Sequence, residues 1–219
     1  MQFDPLDVIL MYVALLFSLT VHEAAHAAMA NWRGDPSARL MGRLTLNPVA
    51  HIDPVGTVLL PLIMLTLNTG VLFGWAKPVP FNPANLKDIR RDPVWIALAG
   101  PGANLSLLAL SVVAMRILVT AAQLQWAGSS VGIFINFLFL LAATNAVLML
   151  FNLIPVPPLD GHHLLYYFLP PSGQRVLEQI GPFGIIIAIV FARFFLGGPF
   201  VAILRLVERL SGLSALYGL

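Results

Sequence analysis

Residues 19–32, LTVHEAAHAAMANW, decide how the rest of the sequence is interpreted. They end a long apolar run that begins near Leu6, and they place His22, Glu23 and His26 inside that run. A charged side chain at the centre of a membrane helix costs about 2.5–3.5 kcal/mol or more, so ionisable residues there usually have a function. The stretch therefore predicts a membrane helix that carries part of a functional site.

The composition is that of an integral membrane protein. Of the 219 residues, 58% are hydrophobic and only 10% are charged, whereas soluble domains contain about 25% charged residues. The net charge of +2 gives no reason to expect nucleic-acid binding. The sequence contains no cysteine, so a metal would have to be bound by histidine, aspartate or glutamate.

The hydrophobic segments predict a bundle of helices in the lipid bilayer. After the first run, apolar runs cover residues 55–75, 94–124, 131–153, 183–196 and 200–210. Runs this continuous form helices in lipid, because the strands of membrane barrels alternate apolar and polar residues. We expect an all-α polytopic membrane protein with about four to six hydrophobic segments. It should form one domain over residues 1–219, with a catalytic core at about 6–170 and C-terminal helices at about 176–212.

Two segments are expected to depart from simple spanning helices. Residues 39–46, RLMGRLTL, alternate weakly in polarity, which predicts a short β-hairpin. Residues 55–75 contain Pro61 and precede a second basic loop at residues 77–91, while Arg33 begins the first basic loop. Basic loops tend to lie on the cytoplasmic side. The segment 55–75 is therefore expected to re-enter or to lie at the interface, which keeps both basic loops on one side.

The spacing within the first helix is that of a metal site. His22 and His26 are four residues apart, so they lie on the same face of a helix and can both reach one ion. Glu23 is one residue further round the helix and can act as general base for a water molecule on that ion. A catalytic zinc usually has three protein ligands and one open position, so one ligand is still missing.

Asp160 is the acidic residue best placed to complete the site. Apart from Glu23, it alone among the ten acidic residues lies in an apolar setting, within FNLIPVPPLDGHHLLYYFL. The prolines before it prevent regular helix, and irregular backbone at membrane depth occurs where it is buried in protein or lines a cavity. Asp160 could instead be the N-cap of the next helix. His51, His162 and His163 remain competing ligands.

Three motifs occur in order along the chain: HEAAH at residues 22–26, AGPGAN at 99–104 and FNLIPVPPLDG at 151–161. With them the chain resembles the site-2 protease family of intramembrane zinc metalloproteases, peptidase family M50. The intervening loops resemble the compact prokaryotic branch of that family, which lacks PDZ and CBS domains. One departure is the pair of histidines after LDG, where many relatives have a second glycine.

The resemblance implies a role for each motif residue. It implies that one zinc ion per chain is bound by His22, His26 and Asp160, with Glu23 as the catalytic base. It also implies that the AGPGAN segment packs near the zinc site. Asn104 and Asn152 are then candidates for binding the substrate.

The expected activity is hydrolysis of a peptide bond in or near a transmembrane segment of a membrane protein substrate. The location would be a prokaryotic cell membrane, with the active site nearer the cytoplasmic face. Residues 39–46 could pair with an unwound substrate as an added strand. Two alternatives remain: a catalytically inactive membrane scaffold, and a metal transporter that uses the His and Asp cluster as a transit site.

Overall fold

The structure is a computed structural model that describes residues 4–66, 72, 74–123 and 131–214. All regular secondary structure in these residues is helical. The helices are α1 Pro5–Arg33, α2 Ser37–Leu40, α3 Leu60–Thr66, α4 Asp92–Gln123, α5 Val131–Asn152, α6 Gly161–Phe168, α7 Pro171–Ile180, α8 Gly184–Phe191 and α9 Gly197–Ser211. Shorter helical turns are Pro48–His51, Pro54–Leu59, Pro83–Asn85, Gly181–Phe183 and Ala192–Leu196.

Helix α1 has clear start and stop signals. The Asp4 side chain accepts a hydrogen bond from the amide of Leu6, and Pro5 occupies the first helical position, where a missing N–H costs nothing. The helix ends at Gly34, whose φ of 112° is readily adopted by glycine. This uninterrupted helix of 29 residues carries both histidines and Glu23.

Four described segments are long and apolar enough to cross a membrane: Pro5–Arg33, Asp92–Ala122, Val131–Asn152 and Gly184–Ser211. This number agrees with the predicted four to six hydrophobic segments. Helix α1 packs against α4 and α5, and α4 also packs against α5 and α9. In the last segment only 6% of the most hydrophobic window is buried, so its apolar side chains face outward, as expected for contact with lipid.

The predicted β-hairpin at residues 39–46 is wrong. The segment begins within α2 and continues as turns, and no strand occurs in the described part of the chain. Local hydrogen bonds keep it wound: the amide of Arg43 donates to Ala38 O, and the Arg43 side chain donates to Ala50 O. The weak alternation in polarity could not outweigh these bonds. The predicted pairing of this segment with a substrate strand is abandoned with the hairpin.

The segment 55–75 turns back on itself in the described residues. Its helical part, Pro54–Thr66, contains too few residues to span the bilayer. The amide of Trp75 donates to Gly56 O at 3.3 Å, and the hydroxyl of Thr57 donates to Trp75 O at 2.9 Å. The segment therefore returns to the place where it started. Its depth in a membrane stays a prediction.

The second basic loop lies at the same end of the molecule as the end of α1. The amide of Lys87 donates to Arg33 O at 3.1 Å, and the Arg33 guanidinium forms an ion pair with Asp92 at 3.3 Å. Asp35 fixes the loop more firmly, because its carboxylate accepts hydrogen bonds from the Asn85 side chain and the Asn82 amide. Burial opposes ionisation of Asp35, but these bonds hold its pKa below the ordinary value.

Candidate metal centre

The predicted metal ligands meet at one point. His22 and His26 project from α1, and Asp160 lies directly before α6. The two Nε2 atoms are 3.0 Å apart, and the Asp160 oxygens lie 3.2 Å from His22 Nε2 and 3.3 Å from His26 Nε2. Side chains from two distant parts of the sequence therefore form one group of three that can hold a metal ion.

The spacing of these atoms fits a tetrahedral zinc ion. Ligands at about 2.0–2.1 Å from a tetrahedral ion are separated from one another by about 3.3–3.4 Å, close to the three distances observed. The Oδ2 atom of Asp160 is buried and has no hydrogen-bond partner among the described residues. A cation at the centre would satisfy this oxygen. Two imidazoles and one carboxylate are also a common ligand set of catalytic zinc.

A chain of buried polar side chains orients His22. Asn145 donates to the carbonyl of Leu141 at 2.8 Å, and this carbonyl can only accept. Asn145 Oδ1 in turn accepts from Asn104 Nδ2 at 2.8 Å, and Asn104 Oδ1 contacts His22 Nδ1 at 2.6 Å. Nδ1 of His22 must therefore carry the proton, which leaves the lone pair of Nε2 directed at the metal position.

His26 is oriented in the same way by the backbone. Its Nδ1 lies 2.6 Å from the carbonyl oxygen of Ile96 in α4, so it too donates from Nδ1 and presents the lone pair of Nε2. Two lone pairs only 3.0 Å apart repel each other unless a cation lies between them. The protein thus prepares both imidazoles as metal ligands.

Close approach of α4 depends on Gly100. A Cβ atom at this position would lie 2.4 Å from His26 Nε2 and 2.6 Å from His22 Nε2. The backbone of α4 therefore lies directly against the two ligand atoms, and only glycine leaves them room. This explains the first glycine of the AGPGAN motif in physical terms.

Asp160 is held by an irregular, proline-rich loop. The residue precedes α6, but its side chain makes no capping hydrogen bond, so the N-cap interpretation has no support. Two glycines let the loop pack closely: a Cβ on Gly161 would lie 2.4 Å from Leu153 O, and one on Gly184 would lie 1.6 Å from Pro157 O.

Glu23 faces a cavity next to the metal ligands. Its Oε2 accepts a hydrogen bond from the amide of Val79 at 3.0 Å, so the basic loop positions the carboxylate. The cavity measures about 460 Å³ and is walled by all four predicted chemical residues together with apolar groups. Among its other lining residues are Leu19, Trp75, Val79, Phe81, Ala97, Leu148, Phe151, Asn152, His163 and Ile185.

The sequence was compared with models of protein families and with known proteins, and the matches are peptidases or zinc metalloproteases by name. The sequence model of Peptidase family M50 matches residues 10–193. The chain belongs to this family. It is 37% identical over 178 residues to "Putative zinc metalloprotease YwhC" of Bacillus subtilis, covering 81% of this chain and 77% of the relative. It is 35% identical over 202 residues to "Putative zinc metalloprotease Rip2" of Mycobacterium tuberculosis, covering 91% and 73%.

No solved structure matched the chain. The family match nevertheless confirms the resemblance drawn from the three motifs. The metal group at His22, His26 and Asp160 agrees with the zinc in the names of the relatives.

The other predicted residues lie in different places. Asn152 lines the cavity, where its Nδ2 donates to Leu148 O at 3.0 Å. Asn104 is fully buried behind His22 and does not line the cavity. Its amide contacts His22 and Asn145, so in this structure it orients His22. Its predicted contact with the substrate stays a prediction.

The competing histidines do not belong to the metal-binding group found in the described part of the chain. His51 is buried, and its Nε2 lies 2.9 Å from Thr45 O, within the loop before the returning segment. His162 Nδ1 lies 2.6 Å from Leu159 O. His163 reaches the cavity wall but is not part of the metal group found among the described residues.

Sequence reasoning missed Asn145 and Ser18. Both are fully buried, and Asn145 Nδ2 donates to Ser18 Oγ at 2.9 Å, which extends the polar chain from His22 into the bundle. The available signal was an amide in the interior of the very apolar helix α5, because a polar group in a membrane helix needs a partner.

Proposed function

We propose that this protein is an intramembrane zinc metalloprotease that hydrolyses peptide bonds in or near transmembrane segments. The observation that supports this most strongly is the convergence of His22, His26 and Asp160 beside Glu23 on one cavity. The inner walls of that cavity come from the long apolar helices α1, α4 and α5. A substrate helix would therefore reach the site by passing between these helices.

The residues of the chain divide the reaction between them. Zinc, when bound by the two histidines and Asp160, polarises a carbonyl group and lowers the pKa of water towards 7. Glu23, held by the amide of Val79, takes a proton from the attacking water and later passes it to the leaving nitrogen. Asn152 lies on the cavity wall and is our candidate for a hydrogen bond to the substrate backbone.

We further propose that the site opens towards the cytoplasm. Both basic loops lie at the end of α1 that is nearer to His22, and basic loops are usually cytoplasmic. Since the chain has no cysteine, an Ala84→Cys variant reports one position in the exposed loop. We expect a membrane-impermeant thiol reagent to label it in inside-out vesicles. Labelling only in intact cells would contradict this orientation.

The role of Glu23 as general base is tested with purified protein in proteoliposomes and a membrane-spanning model peptide. Wild type should contain one zinc per chain and cleave the peptide. Glu23→Gln should keep the zinc and lose about 10²–10⁴-fold in cleavage rate, the usual contribution of a general base. Glu208→Gln in α9, away from the cavity, is the matched control and should cleave normally.

The same preparation separates the alternatives. Zinc flux into vesicles without peptide cleavage would indicate a transporter, and zinc binding with neither activity would indicate an inactive scaffold. A Glu23→Gln protein that still cleaved at the wild-type rate would refute Glu23 as the base. Membrane proteomics of wild-type and Glu23→Gln cells would then identify natural substrates as proteins that accumulate uncut.

A further inference from the structure

A second cavity adjoins the cavity of the metal centre. We call the cavity at the metal ligands the inner cavity and its neighbour the outer cavity. The outer cavity measures about 470 Å³, within the range of small-ligand pockets. Phe81 and His163 line both cavities, and their ring centroids are 5.9 Å apart. These two rings therefore form the partition between the cavities.

The two cavities have different walls. The long apolar segments supply half of the lining of the inner cavity, with Leu148 and Phe151 from α5 as examples. The outer cavity is formed by the basic loop and by α6 and α7, with Ile89, Tyr167 and Leu177 in its wall. It thus continues from the metal centre towards the end of the molecule that carries the basic loops.

The charged groups of the outer cavity are already partnered within its wall. The Arg90 guanidinium lies 5.3 Å from the centre of the Tyr167 ring and 3.5 Å from the Tyr167 carbonyl oxygen. Glu178 accepts a hydrogen bond from the Tyr166 hydroxyl at 3.1 Å. The surface left for a ligand is therefore mainly aromatic and aliphatic.

The partition itself consists of two rings. The planes of the Phe81 and His163 rings are inclined to each other by 59°. A peptide passing from one cavity to the other would therefore contact both rings.

We propose that the outer cavity binds the extended segment of the substrate that follows the cleaved bond on the water side, and that it selects a bulky apolar or aromatic side chain there. This inference rests on the proposed protease function. The argument is continuity: a chain that crosses the metal centre between helices leaves it past Phe81 and His163, and the next space it enters is the outer cavity. The aromatic lining favours a large apolar side chain.

The test uses a synthetic peptide library in proteoliposomes. Each peptide has the same Leu- and Ala-rich membrane segment, followed by four randomised residues on the side of the basic loops. Mass spectrometry identifies which members the zinc-loaded enzyme cleaves. We expect wild type to enrich large aliphatic and aromatic residues in the randomised flank.

Ile89→Trp should fill part of the outer cavity and reduce that enrichment about tenfold, the effect of a modest change in an apolar pocket. Peptides with a Gly- and Ser-only flank present no large side chain to the cavity, so their cleavage rate in each variant is the reference for the enrichment. Ile117→Trp is the matched control, because Ile117 is exposed to the same extent, 64% against 65%, and lines neither cavity. Zinc content verifies that each variant is folded.

Each outcome is decisive. A wild-type enzyme without flank preference, or an Ile89→Trp profile equal to that of Ile117→Trp, would overturn the proposal. An equal change for all peptides would show that the cavity does not distinguish the side chains of the flank, and would overturn the proposed selectivity. Should Ile89→Trp fail to bind zinc, Tyr167→Ala widens the same wall and must shift the preference. A wild-type enzyme that cleaves no member would instead refute the protease function itself.

Discussion

The histidine side and the aspartate side of the metal centre are held in different ways. The imidazoles project from a regular helix, and a protein group fixes each Nδ1: Asn104 for His22 and the Ile96 carbonyl for His26. Behind His22, the polar chain continues to Asn145. The orientation of the histidines is therefore set before any metal arrives, as in other metal sites with ordered outer ligands.

The aspartate side depends on close packing of an irregular loop. Oδ2 of Asp160 has no hydrogen-bond partner among the described residues, and the loop before it rests on Gly184. The segment that contains Gly184 is the least buried of the four apolar segments. From this difference we expect the histidine side to resist change and the aspartate side to adjust to the ion that it binds.

The largest effect is expected where the backbone contacts the histidines. Gly100→Ala would put a methyl group 2.4 Å from His26 Nε2 and 2.6 Å from His22 Nε2, so the two ligand atoms or α4 must move. We expect zinc affinity to fall more than about 100-fold, beyond the range typical of changes outside the ligand shell. Competition with a chelator measures the affinity directly.

Gly102→Ala, two residues along the same helix, is the control for this change. A Cβ atom there meets nothing within 4 Å, so zinc affinity should stay at the wild-type value. Equal affinities in the two variants would show that α4 does not approach the ligands as closely as described, and the rigid histidine side would lose its main support.

A smaller effect is expected from the polar chain. Asn145→Ala removes the side-chain amide that donates to Leu141 O. That hydrogen bond determines how the amides of Asn145 and Asn104 are oriented, and thereby which nitrogen of His22 carries the proton. His22 can then adopt the other tautomer, so zinc affinity should fall about 10–100-fold. Asn136→Ala in the same helix removes a hydrogen bond to Asp7 and should leave zinc affinity unchanged. Equal losses in both variants would indicate general destabilisation and no orienting chain.

The sequence predicted the regular helical features of the protein better than the helix packing and the irregular loops. Spacing alone placed His22 and His26 on one face, because helix geometry is independent of context. It could not pair Asn145 with Asn104, since that contact depends on how two helices pack. The predicted hairpin at residues 39–46 failed because weak alternation says nothing about competing local bonds such as the one from Arg43 to Ala50.

The smallest effect on zinc affinity is expected from a change on the aspartate side. Gly184→Ala would put a methyl group 1.6 Å from Pro157 O, so either the loop or α8 must move. Because the segment containing α8 is so little buried, the helix should shift outward and leave Asp160 close to its place. We expect a loss of about 1–3 kcal/mol in stability, as for other overpacked sites, with less than a tenfold loss of zinc affinity.

Gly181→Ala, where nothing lies within 4 Å of the added methyl, should change neither quantity. A loss of zinc affinity as large as that of Gly100→Ala would show that the aspartate side is as rigid as the histidine side, because the strain would then have reached Asp160 instead of moving the helix.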